Sequence, residues 1–200
     1  MFVEFRRSGN ELGSIGFDRF QRMVAGAEDT DGLPIEVKSL LDVVRSPDRS
    51  VRAVLATHEE CRTHLFSYRG TDGAALVAVK RGQLRLVPAQ RPFLSADLAG
   101  AVNLRPQPEV AQAIRPASPQ LVTDLTSLDH MRRGQALDHA RAELAWRVSL
   151  ESRTDVAPLV AVETRNGLLV ASDDGERIEP RASTWVFRKL VEMTHDLDSN

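Results

Sequence analysis

Five histidines, one cysteine, a few glycine clusters and an acidic pair are the residues of this 200-residue chain whose types could support chemistry. None has the spacing that a reaction centre requires. His58, His64, His130, His139 and His195 form neither a His-Glu-x-x-His pattern nor a Cys/His array, the usual zinc-binding arrangements. His58-Glu59-Glu60 falls in an expected turn, where solvated polar side chains are ordinary. His130 and His139 flank Gly134, read as a helix break across which two imidazoles could approach, but no third ligand accompanies them. Gly9, Gly13 and Gly16 lack the Lys-Ser/Thr ending of a phosphate-binding loop and do not form the dinucleotide glycine pattern after a strand. No Gly-x-Ser-x-Gly elbow is present. Asp173-Asp174 precedes Gly175, which reads as a turn rather than an acid–base pair. Cys61, expected within a strand, reads as a structural thiol. The expectation is a protein that is not an enzyme, with no catalytic residue, metal ligand or cofactor.

Composition narrows the alternatives. With 42% hydrophobic and 27% charged residues the chain has the make-up of a folded globular protein. A net charge of −2, with no basic run longer than Arg132-Arg133, argues against nucleic-acid binding, which needs a clustered positive field. Among 26 basic residues only Lys38, Lys80 and Lys189 are lysines, a bias that suits a GC-rich genome and polar recognition by the planar guanidinium. One cysteine permits no internal disulfide, which fits a reducing compartment. The segment Met1–Arg7 has no apolar core of a signal peptide, and no apolar run approaches the roughly 20 residues that span a bilayer. A cytoplasmic protein without membrane insertion is expected.

The elements that position these residues follow from periodicity and turn chemistry. A strand is expected over Phe2–Phe5 and a short helix around Phe17–Val24. A second helix opens with Pro34 at its first position and carries Ile35, Val37, Leu40, Leu41 and Val44. Strands are read over 51–56, 61–69, 74–80 and 84–87, joined by turns such as Gly70-Thr71-Asp72-Gly73, and connections this short force antiparallel neighbours. Pro92 opens a helix with Leu94, Leu98 and Val102. Pro106, Pro108, Pro116 and Pro119 mark 103–120 as a connector, with one helical turn around Val110–Ile114. Leu121, Val122, Leu125, Leu128 and Met131 predict a helix ended by Gly134. Ala136–Trp146 is helix-like, although Leu144–Leu150 also reads as a strand. A hairpin through Asn166-Gly167, a turn at Asp173–Gly175 and a closing helix capped by Ser183 complete the chain.

An internal echo organises these elements. Leu76-Val77-Ala78-Val79 returns as Leu159-Val160-Ala161-Val162, and Arg85 to Pro88 returns as Arg177 to Pro180, each followed by a helix. The spacings differ by nine residues, which predicts an insertion in the second hairpin. The expected fold is a single α+β domain over 1–200. It has pseudo-two-fold duplicated strand–turn–strand–helix units, a central antiparallel sheet and flanking helices, with halves at about 35–105 and 120–195. Such a sheet offers a binding surface, and Trp146, Trp185, Tyr68 and Phe187 are its candidate aromatic anchors or else core residues. Trp185 and Phe187, two apart on one helix, are not expected to share a face.

The chain resembles the EspG family of type VII (ESX) secretion chaperones of actinobacteria. The resemblance is carried by Leu40–Ser50, by Tyr68-Arg69-Gly70-Thr71-Asp72-Gly73 running into Leu76–Val79, by Arg81–Pro88, and again by Leu159–Val191. It implies a quasi-two-fold α+β protein that binds the helical tip of a PPE protein in a PE–PPE pair and keeps it soluble. No short motif carries binding residues over, so the partner-binding residues stay unassigned. Another non-catalytic adaptor or immunity-type protein is the alternative function, and an enzyme with an unrecognised site is the second alternative.

Overall fold

Pro34 sets the first long helix. Its φ of −52° and ψ of 146° are non-helical, and its carbonyl accepts from the N–H groups of Val37 and Lys38 at 3.0 Å. It therefore caps α2 (Ile35–Arg45) from outside rather than occupying the first helical position. The computed structural model describes residues 2–7, 10–79, 83–107, 114–151 and 156–195. The chain folds into two compact units, 1–51 with 64–94, and 52–63 with 95–200.

The first unit begins with a hairpin of β1 (Phe2–Arg7) and β2 (Asn10–Gly16), followed by α1 (Phe17–Val24) and α2. Its sheet follows the order β2, β1, β6 (Gln83–Gln90), β5 (Asp72–Val79), β4 (Cys61–Arg69). These neighbours pair antiparallel except β1 with β6, where Phe2 to Phe5 run parallel to Gln83 to Leu86. The sheet is thus mixed rather than antiparallel throughout. A parallel pair is possible because the connection from β1 to β6 passes through two helices and several strands. Alternation along β1 buries Val3 and Phe5 against Phe20 and Met23 of α1 and Val37, Leu40 and Leu41 of α2. Arg45 then donates from Nε and Nη2 to the Met23 carbonyl at 3.1 and 2.7 Å, satisfying the end of α1.

The second unit has the strand order β3 (Arg49–Thr57), β8 (Leu144–Leu150), β9 (Leu159–Thr164), β10 (Gly167–Ala171), β11 (Arg177–Pro180), β7 (Arg115–Pro116). Five of the six residues of β9 and the three central residues of β10 are buried, the pattern of strands covered on both faces. Val160, Val162, Leu169 and Ile178 point to the face covered by α4 (Pro119–Asp124) and α5 (His130–Ala140), through Leu125, Ala136, Leu137 and Ala140. Pro116 sits on an edge strand, where its missing N–H costs nothing. The proline-spaced connector is tied down at Gln107. Its N–H donates to Ser183 Oγ at 2.8 Å, its carbonyl accepts from the Ser183 N–H, and its amide donates to Glu163 at 2.6 Å. Ser183 consequently clasps the connector instead of capping α6 (Ser183–His195). The helical turn expected near Val110 lies outside the described residues.

Two further expectations change. The stripe Leu121–Met131 is not one helix ended by Gly134. It is α4, a turn, and α5, because Asp129 accepts from the Met131 and Arg132 N–H groups and starts a new helix that runs through Gly134 to Ala140. The glycine-punctuated stretch near the N-terminus forms β2, with Gly13 at φ 149° in a region that side chains rarely adopt.

The duplication extends to six elements. Chain order is helix, four strands, helix, first as α2-β3-β4-β5-β6-α3 (Leu94–Ala101) and again as α5-β8-β9-β10-β11-α6. Arg85–Pro88 and Arg177–Pro180 lie on the fourth strand of each set. Leu76–Val79 lies on the third strand, β5, whereas Leu159–Val162 lies on the second, β9. The counterpart of β5 is β10, whose Leu168 follows Leu76 by 92 positions (76 to 168), as Arg177 follows Arg85 (85 to 177). The nine-residue difference is therefore not an insertion in the second hairpin; the Leu-Val-Ala-Val echo is one strand out of register. Buried strands draw on the same few aliphatic residues, so short runs recur at non-equivalent positions.

Candidate partner-binding groove

Strand alternation builds the site. Ala161, Val170 and Glu179 stand opposite one another across β9, β10 and β11, on the face turned away from α4 and α5. Helix α6, whose Val186 and Leu190 are fully buried, shares a groove with that face. Beside it a groove of about 720 Å³ opens, lined by Leu159 and Val170 from the sheet and by Trp185, Lys189 and Met193 from α6. These three helix residues recur at i, i+4 and i+8, a single stripe along one flank of α6.

The polar lining is ordered around Trp185. The Arg181 guanidinium carbon lies 5.1 Å and Lys189 Nζ 5.7 Å from the indole centroid, both within cation–π range. Arg181 pairs with Glu179 at 2.6 Å, Lys189 with Glu192 at 2.7 Å, and Arg188 approaches Glu192 at 3.8 Å. The bond from Lys189 holds the Glu192 carboxyl below the usual carboxylate range. The other acidic part of the lining is the β10–β11 turn, Asp173 and Asp174. Asp174 accepts from the Ser172 hydroxyl at 2.5 Å and the Glu176 N–H at 3.0 Å, and these bonds hold its carboxyl low. Charged, apolar and aromatic groups thus line one concave face, the make-up of a recognition surface.

A second exposed feature of this unit is the corner between α4 and α5. Leu128 is 80% and Met131 71% exposed, although sequence periodicity places both on one apolar stripe. The backbone beneath them is fixed by Arg133, which is 3% exposed. Arg133 donates from Nε to the Thr57 carbonyl and from Nη1 to the Ser127 carbonyl, both at 2.8 Å. Cys61 Sγ lies 4.0 Å from the Thr126 carbonyl in the same cluster, and burial pushes its thiol up against the opposing charge of Arg133. Arg133 carries no signal in the sequence, where Arg132-Arg133 reads as a short basic run.

Of the four candidate aromatic anchors, Trp146 is 1% exposed and Tyr68 is also buried, so both are core residues. Trp185 enters the groove, and Phe187, 41% exposed, lies on another side of α6, as their spacing predicts. His58 Nε2 meets Asp138 Oδ1 at 3.0 Å. His130 and His139 do not approach: they sit on one continuous helix, about 13.5 Å apart along its axis and on opposite faces. Among the described residues no group of three or more His, Cys, Asp or Glu could hold a metal ion, and no helix is long and apolar enough to cross a membrane.

No protein-family model matches the sequence, and no curated protein does. The fold is similar to that in a solved structure of the Mycobacterium tuberculosis type VII secretion system chaperone EspG5 in complex with a PE25–PPE41 dimer. The match has a TM-score of 0.51 and 14% identity, and covers 83% of this chain and 79% of the other. The chain therefore has an EspG-like α+β fold.

Proposed function

We propose that this protein is a non-enzymatic, cytosolic chaperone of type VII secretion that binds the helical tip of a PPE-type protein in a PE–PPE pair and keeps it soluble. The observation that carries the reading is the fold shared over 83% of the chain with EspG5, a chaperone solved in complex with a PE–PPE dimer. Two surfaces of the second unit support it: the amphipathic groove beside α6 and the apolar pair Leu128 and Met131, since burial of exposed apolar surface is the main driving term of association. A chaperone of this kind needs a binding face and no reactive constellation.

The test is co-expression with the PE and PPE proteins encoded nearest its gene. A stable 1:1:1 complex on size exclusion, with the PPE protein insoluble when this chain is omitted, is the expected result. A PE–PPE pair that stays soluble alone and elutes separately from this chain overturns the reading.

A further inference from the structure

Alternation along β1 sends Val3 and Phe5 to the helix side of the first unit's sheet and leaves Phe2, Glu4 and Arg6 on the other face. Register places Arg85 of β6, the arginine of the first Arg-x-x-Pro, beside Glu4, and Gln83 beside Phe2. Both arginines turn to the one carboxylate. Arg6 Nε donates to Glu4 Oε2 at 3.2 Å, and Arg85 Nε lies 3.3 Å from the same oxygen. Glu4 is their one acidic partner among the described residues, so the triad carries an uncompensated positive charge. Arg85 Nε is buried and makes no hydrogen bond, although the side chain as a whole is 39% exposed. The terminal nitrogens of both guanidiniums are open to solvent and donate to no described residue. Phe2, about 7 Å along the strand from Glu4, is 60% exposed.

We propose that the Arg6–Glu4–Arg85 triad receives one carboxylate of a partner protein, from an acidic side chain with an apolar neighbour that lies on Phe2. Neighbouring guanidinium forks suit a planar carboxylate, which accepts paired N–H bonds. Glu4 sets the charge of the guest. A single carboxylate brings the cluster to two positive and two negative groups, with no charge left over. A phosphate dianion, or a nucleic-acid backbone, would overshoot that balance and be repelled by Glu4. Exposed Phe2 on the same face favours a protein segment over a free anion, because covering it adds an apolar term. On a helical partner an acid and an apolar residue at i and i+4 stand about 6 Å apart, close to the spacing of Phe2 and Glu4. The proposal deepens the chaperone reading by naming a contact on the first unit and the chemistry of the segment it takes. It rests on that reading only in that the guest is a helix.

The probe is a fluorescently labelled, helix-stabilised peptide of about 14 residues with leucine and glutamate one turn apart along one face. It is titrated into the full chain and binding is read by anisotropy. Saturable binding is expected, about tenfold weaker when the peptide carries glutamine in place of glutamate. Arg6→Gln and Arg85→Gln should each weaken it about fivefold. Charge exchange separates recognition from a loss of fold: a peptide with lysine in place of glutamate should bind Arg85→Glu more tightly than wild type. Absence of saturable binding, or equal affinity of the glutamate and glutamine peptides, overturns the proposal. So does displacement of the peptide by inorganic phosphate at matched ionic strength, which would make the triad a phosphate site. If the peptide binds as described but the PE–PPE pair does not, the triad assignment stands and the chaperone reading falls. If the pair binds wild type, Arg6→Gln and Arg85→Gln equally, the chaperone reading stands and the triad assignment falls.

Discussion

Replacing Arg133 by methionine tests the physical account of the α4–α5 corner. The side chain is 3% exposed, has no carboxylate partner among the described residues, and holds the Thr57 and Ser127 carbonyls at 2.8 Å, with Leu128 more weakly at 3.4 Å. Two good bonds from a charged donor are worth roughly 1.5–3 kcal/mol each. Against this, removing a desolvated guanidinium returns part of the burial cost, and methionine restores apolar packing. The net loss is about 2–3 kcal/mol, which for a chain of this size lowers the melting temperature by about 4–12 °C. A second readout is independent of stability. The Arg133 charge pulls the Cys61 thiol down while burial pushes it up, so without Arg133 the pH profile of thiol alkylation moves to higher pH. Calorimetry and iodoacetamide kinetics on the folded protein measure both. A melting temperature within about 1 °C of wild type, or an alkylation profile that does not move upward, refutes the reasoning.

Other perturbations probe other parts of the fold. A Cβ on Gly73 would lie 2.5 Å from the Tyr68 ring and 2.8 Å from the Ala89 carbonyl, so Gly73→Ala should cost about 1–3 kcal/mol in chemical denaturation. Gly70→Ala meets no atom but forces alanine to φ 58°, about 1–2 kcal/mol, and equal stability of both variants to wild type would contradict the geometry. Trp146→Ala removes a fully buried indole from β8 and should destabilise by about 3–5 kcal/mol, or prevent folding, read by urea unfolding. Leu128→Asp and Met131→Asp, on the exposed corner, should leave stability within about 0.5 kcal/mol while weakening capture of a PE–PPE pair in co-purification. Asp129, Asp174 and Glu192 have carboxyls lowered by folding, so their stabilisation is complete above the ordinary carboxylate range and is lost as pH falls through the lowered values. Unfolding free energy should therefore drop on acidification below about pH 4, less steeply in Asp129→Asn; a pH-independent plateau down to pH 2 would show that these bonds do not persist in solution.

Local chemistry made much of the fold legible in the sequence. The turn Gly70-Thr71 joins β4 to β5, Asn166-Gly167 joins β9 to β10, and Pro92 heads the segment that becomes α3, because each depends on backbone preferences that act over three or four residues. Cys61 in a strand, the paired Arg-x-x-Pro strands and the opposed faces of Trp185 and Phe187 were readable for the same reason. Tertiary structure decided the rest. The parallel pairing of β1 with β6 joins residues some 80 positions apart, and no local signal announces it. The equivalence of β5 with β10 emerged from strand order, since letter matches among buried strands carry little information. Arg133 and Ser183 change meaning because their partners, Thr57 and Gln107, are each 76 positions away. The groove follows the same logic: periodicity by itself marked Trp185 as an aromatic on a helix. Only the tertiary structure decided that its indole would line a groove with Leu159 and Val170, flanked by the cations of Arg181 and Lys189.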